Sequence, residues 1–229
     1  GQEVVLETST MKREELRSFR LIHFLLQFMW GRKWYFDVLK YLSSIGIHPM
    51  DMILSIAQAM QTNEGEIGQV YAEFRRDHDL ENFGTLDELK AYWSAPENFA
   101  RLKSGEYGKL NYVFTFKILL EHAQEFDEIV LDQAHDLARG SKNIDIAKFT
   151  EICGEIVRFN KELRIAFSDT LEFAERKDLK FLYDILGWKE ANYARPIKKA
   201  VPGDAFWYLF AVSKEQKQLL EKQLVLFDA

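Results

Sequence analysis

Over most of the chain, apolar residues recur three and four positions apart, the spacing of helices that bury one stripe. From Leu16 they fall at Phe19, Ile22, Leu26 and Met29 or Trp30, with His23 on the same stripe. Phe24, Leu25 and Phe28 fill the other side. A helix apolar nearly all round is buried on more than one face, so this one is expected to be central. Ser9 or Thr10 is placed to cap it, and Glu14 and Glu15 put negative charge near its positive end. Before it, residues 3–8 (EVVLET) are rich in β-branched residues and predict a short strand.

Gly31 is expected to end the first helix. WYFDVLKYLSSIG predicts a second, stopped at Gly46, and HPMDMILSIAQAMQ a third, with Pro49 in its first turn, where a missing N–H does no harm. EIGQVYAEFRRDHD predicts a fourth. Thr85 to Glu88 has the capping-box pattern before a helix running to about Ser94, and Pro96 opens another short one. Gly105 and Gly108 mark a turn. Residues 109–138 read as one long helix closed by Gly140, and residues 143–162 as another.

After residue 163 the pattern shortens. RIAFSD and TLEFAE look like strands, KDLKFLYDILG like a short helix, AFWYLFAVS like an aromatic strand and KEQKQLLEKQLVLF like a final helix. The expected fold is mainly α: a bundle of about seven to eight helices with a small C-terminal α+β unit and a short N-terminal strand. The corresponding division is a linker at 1–8, a helical domain at 9–162 and an α+β subdomain at 163–229.

Composition narrows the function classes. With 18 Phe among 229 residues and only 4 Pro, a bulky core between long helices is expected. The net charge is -6 with both signs mixed, so the clustered positive charge of a nucleic-acid binder is absent. No apolar run approaches the roughly 18 residues of a membrane span; the longest, Leu21 to Trp30, is interrupted by His23 and Gln27. Cys153 is the single cysteine, which excludes an internal disulfide and a thiolate-only metal site and fits a cytoplasmic location. Its place on a stripe with Phe149, Ile152 and Ile156 predicts a small buried hydrophobe rather than a nucleophile.

Three groups of residues carry candidate chemistry. Glu121, Glu125, Glu128, Asp132 and His135 follow one another at three- and four-residue steps. Glu121, Glu125, Asp132 and His135 would form a carboxylate–histidine metal set, although the second Glu-x-x-His of a di-iron bundle is missing. A solvated acidic face is the commoner explanation. Asp77 and His78 would serve as an acid–base pair, against the more ordinary surface patch at a helix end. Arg17 and Arg20, one turn apart on the first helix, would receive a carboxylate or phosphate, with His23 beside them; exposed salt bridges are the plainer alternative. Glycine-rich phosphate loops, GxSxG and HExxH are absent.

The segments EVVLETSTM, EELRSFRLIHFLLQFMW, VLKYLSSIGIHPMDMI and YWSAPENFARLKSGEYG together resemble the C-terminal region of radical S-adenosylmethionine proteins of the cobalamin-binding type. The resemblance is most specific over residues 4–108 and looser from 163. It implies an upstream partial β/α barrel holding a 4Fe-4S cluster and S-adenosylmethionine, behind a cobalamin-binding domain. This chain has neither CxxxCxxC nor Asp-x-His-x-x-Gly, so it would carry no cofactor of its own. Residues 1–8 would then be a leftover barrel-edge strand, and the rest a cap that keeps water from a radical intermediate and shapes substrate access. Arg17, Arg20 and His23 would face the barrel or the substrate. Competing expectations are an independent helical protein–protein interaction module and a helical metal-dependent enzyme.

Overall fold

The first helix, α1 (Arg13–Leu25), starts where Glu15 folds back so that its carboxylate accepts the Lys12 N–H at 2.6 Å, while Thr8 accepts the Met11 N–H at 2.9 Å. Hydrogen-bonding side chains thus start this helix, but from neighbours of the expected Ser9 and Thr10. The computed structural model describes residues 7–80, 82–104, 109–163, 176–201 and 206–209. Beyond Leu25 the helix widens into a π-helical turn, Leu26–Gly31, closed by the Arg32 N–H on the Gln27 carbonyl at 2.8 Å.

Three helices follow: α2 (Phe36–Ser44), α3 (Pro49–Thr62) and α4 (Glu66–Leu80). Gly46 stops α2 in the left-handed conformation, φ 87°, which costs glycine nothing. Pro49 occupies the first turn of α3, as expected. α4 begins over Asn63, whose side chain accepts the N–H of Gly65 at 2.7 Å and of Gly68 at 3.2 Å. A Cβ on Gly68 would lie 1.8 Å from the Asn63 carbonyl oxygen, so that start tolerates only glycine. α5 (Leu86–Ser94) opens with the reciprocal Thr85–Glu88 capping box. α6 (Pro96–Ser104), α7 (Leu110–Glu121), α8 (Ala123–Arg139) and α9 (Ile146–Leu163) complete the bundle, and α10 (Ile185–Glu190) lies between two short strands.

α3 is the inner helix, packed against α1, α2, α4 and α8, while α9 lies across α8 and α2. Phe28 joins these layers: its ring centroid is 5.7 Å from Phe24, 5.7 Å from Tyr35 and 5.4 Å from Phe126 on α8. The Tyr35 hydroxyl donates to the buried Asp127 at 2.8 Å. The α5–α6 pair stands apart from this core, and α5 buries none of its side chains.

The expected fold class needs correction. Among the described residues there are ten α-helices, not seven or eight, and the chain is mainly α throughout. Glu7 and Thr8 form no strand; residues 3–6 lie outside the described residues. Nor do the described residues after 175 stand apart as an α+β unit. The β structure among the described residues is a ribbon of β1 (Arg176–Leu179) against β2 (Phe206–Leu209), antiparallel, with Arg176 opposite Leu209. The helix expected over KDLKFLYDILG is therefore a strand at its start and α10 at its end, because Asp184 caps a helix there by accepting the Gly187 N–H. Phe181, Tyr183, Ile185 and Trp188 belong to the same hydrophobic core as α1–α4 and α7–α9. RIAFSD, TLEFAE and KEQKQLLEKQLVLF lie outside the described residues. No helix of the described residues is long and apolar enough to cross a membrane.

What ties α10 to the bundle is Asp37, in the first turn of α2 and 2% exposed. One carboxylate oxygen accepts from Lys189 at 2.7 Å and the other from the Tyr193 hydroxyl at 2.6 Å. Burial and the bond to Asp37 push the Tyr193 phenol above its ordinary range. Asp37→Ala leaves both partners unmatched and is expected to cost about 2–4 kcal/mol in urea unfolding. Asp37→Asn, which still offers an acceptor, is expected to cost less.

Candidate functional site

Residues 109–138 do not form one helix. The chain breaks at His122, φ -131° and ψ 27°, and α8 sets off in a new direction. The break turns the imidazole toward the first turn of α4: His122 Nδ1 is 3.0 Å from Glu66 Oε2, and His122 Nε2 is 3.9 Å from Glu121 Oε2. One donor atom each from Glu66, His122 and Glu125 lie within 4.8 Å of one another. Two carboxylates and an imidazole at that separation can share one divalent cation of the zinc or manganese class, with solvent completing the shell. Glu121 would then orient the ring from its far nitrogen. The same contacts also describe a histidine ion-paired between carboxylates, and Glu66 and Glu125 lie in first turns whose dipoles favour a carboxylate without any metal.

Of the four residues expected to form a metal set, Glu125 enters this cluster and Glu121 borders it. Asp132 and His135 do not. His135 is ten residues beyond Glu125, about 15 Å along α8. Its Nε2 meets the Thr150 hydroxyl of α9, and its ring lies 6.0 Å from Phe149. Asp132 and His135 line a separate groove with Asp136 and Arg139. Glu66 and His122 went unnoticed because periodicity runs straight through residue 122, and no local signal links it to a glutamate 56 positions earlier.

The second group sits where α1 crosses the end of α4. Arg17 holds Asp79 with two bonds of 2.9 Å and also pairs closely with Glu14, which in turn binds Arg75 at 3.0 Å. The hydrogen bond from Arg17 holds the Glu14 carboxyl below its usual range. Arg17 is thus committed to carboxylates of this chain. Arg20 donates to His23 Nδ1 at 3.2 Å, so those two expected partners do meet. Asp77 and His78 do not pair: Asp77 binds Arg76 at 3.2 Å, whereas His78 lies 3.8 Å from Asp79. Burial, and after it the charge of Arg20, lowers the His78 pKa below 6.5; Asp79 opposes the shift, while Arg17 and Arg13 add to it.

Cys153 is buried, and desolvation pushes its thiol up to about 12, so it holds its proton and offers no nucleophile. Comparison of the chain with protein-family models, with curated proteins and with solved structures finds no match in any of the three.

The His78 environment has a measurable sign. The unfolded chain takes up this proton at a higher pH than the folded one, so the contribution of neutral His78 to stability is complete above about pH 6.5 and declines as pH falls through its folded pKa. Arg20→Ala is expected to move the His78 pKa upward in an NMR titration, toward its unfolded value, and so to make that decline in stability smaller.

Proposed function

We propose that this chain is a non-catalytic accessory domain of a radical S-adenosylmethionine enzyme of the cobalamin-binding type, covering the mouth of the barrel and shaping substrate access. The observation that carries this reading is a set of large apolar side chains that stand exposed on α1, α5 and α6. Phe19 on α1 is 54% exposed, Leu86 on α5 62% and Phe99 on α6 57%. The Arg17–Asp79 bond holds α1 against the end of α4, from which the chain leads on to α5. A surface of this kind suits a docked partner. The buried single thiol supports the division of labour, since a 4Fe-4S cluster would have to be held elsewhere.

The test is the reading frame upstream of Gln2 and the polypeptide it encodes. That frame is expected to contain CxxxCxxC. In hydrogen exchange, peptides spanning 17–30 and 85–101 are expected to gain protection in the full polypeptide relative to the isolated chain, and the isolated chain is expected to form no 5′-deoxyadenosine. A frame without the cysteine triad, or turnover by the isolated chain, rejects the proposal; an unrelated protein recovered on the same surface would favour an independent interaction module.

A second reading, a metal-dependent helical protein, is favoured by the Glu66–His122–Glu125 geometry. It requires one zinc or manganese ion retained per chain after gel filtration and lost in His122→Ala. Retention unchanged in that variant removes it.

A further inference from the structure

Between the end of α2, the loop leading from α8 to α9, and residues 193–197 lies a cavity of about 690 Å³. That volume is in the range of small-molecule sites, roughly 300–1,000 Å³. Its floor is aromatic and apolar: Tyr41 and Phe149 stack at 5.7 Å with 17° between ring planes, and Ile152 lies beside them. Its rim is cationic. Lys148, in the first turn of α9, and Arg195, on the opposite wall, both line the cavity, and neither has a carboxylate partner among the described residues. One Arg195 amino group donates to the Gly187 carbonyl at 3.0 Å, which steadies the guanidinium, and among the described residues its other donors meet no carboxylate.

The Arg195 wall is held in place at considerable local cost. Asn192 and Tyr193 both take left-handed backbone conformations, φ 51° and 61°, which a tyrosine rarely adopts. The turn persists because the Tyr193 hydroxyl reaches Asp37 at 2.6 Å, its ring stands edge-on to Trp188 at 4.7 Å, and the Lys198 carbonyl accepts the Asp184 N–H at 2.9 Å. Strain maintained by surrounding contacts is a feature of binding walls, and here it fixes one side of the cavity before any ligand arrives.

We propose that this cavity binds a small carboxylate with a planar apolar body, the carboxylate bridging Lys148 and Arg195 and the body lying over Tyr41 and Phe149. The charge balance selects the class. Asp145 also lines the cavity, with one oxygen accepting the Lys148 N–H as the cap of α9. Two cations against one carboxylate leave a single net positive charge, which matches a monoanion better than a phosphate dianion. The site is independent of the accessory-domain reading, because its walls come from α2, α9 and the segment after α10.

Titrating benzoate into the 15N-labelled chain tests this by NMR, with acetate, benzyl alcohol and inorganic phosphate as separate arms. Saturable, millimolar binding of benzoate is expected, with shifts centred on Ser44–Gly46, Lys148–Ile152 and Ala194–Ile197. Acetate and benzyl alcohol, each lacking half of the ligand, are expected to bind at least fivefold more weakly, and phosphate likewise. Lys148→Gln with Arg195→Gln is expected to weaken benzoate at least tenfold while the melting temperature stays within a few degrees. If the double variant melts much lower, Lys148→Gln alone, at an exposed position, is expected to weaken benzoate at least threefold. Shifts that do not saturate, shifts centred elsewhere, phosphate binding as tightly as benzoate, or unchanged affinity in the folded variant would each overturn the proposal.

Discussion

The π-helical turn at the end of α1 sets the position of most of the core. An α-helix rotates about 100° per residue, so Phe28 and Met29 could not share one narrow stripe. The wider turn brings them closer in direction, and both side chains are fully buried. Phe28 then meets Phe24, Tyr35 and Phe126 at once, linking the first helix, the connection to α2, and α8. The cost is concentrated just beyond. Lys33 is left-handed at φ 63°, and Arg32 Nε and Trp34 Nε1 are buried without hydrogen-bond partners. The Arg32 guanidinium lies instead over the Tyr112 ring at 4.0 Å, a contact that offsets part of the lost hydration.

The direction of α2 follows from that connection, and α2 carries Asp37. One buried carboxylate satisfied on both oxygens therefore decides where α10 and the strained turn after it sit. The cavity beside α9 inherits its shape from the same chain of constraints. Packing of aromatic rings places the helices, and a small number of buried polar contacts then fixes their ends, where chemistry-bearing side chains are found.

Charge is distributed by a different logic. The arginines of α1 and α4 are largely neutralised by acidic residues of the same two helices, so this seam fastens α1 to α4 and is poorly suited to gripping a ligand through Arg17. Lys148 and Arg195 differ because neither side chain has a carboxylate partner among the described residues, Asp145 meeting Lys148 only through its backbone N–H. The histidines show how context assigns roles: burial and the charge of Arg20 lower the His78 pKa, whereas His122 sits between the carboxylates of Glu66 and Glu121.

By itself the sequence determined the helical character, most helix positions, the buried Cys153, and the punctuation at Gly46, Pro49 and Thr85–Glu88, since each depends on neighbours within one or two turns. It misled where a local pattern had two solutions. The periodicity through His122 is the same for one long helix and for two helices meeting at an angle, and only packing against α4 and α9 selects the break. KDLKFLYDILG, residues 177–187, reads as a helix, but pairing with Phe206–Leu209 draws its first part into a ribbon. The Glu66–His122 contact, the Asp37 bonds to Lys189 and Tyr193, and the cavity between Lys148 and Arg195 join positions roughly 50 to 150 residues apart. Tertiary structure alone decided these, because hydrogen bonds and charges act over a few ångströms of space and leave no periodic trace along the chain.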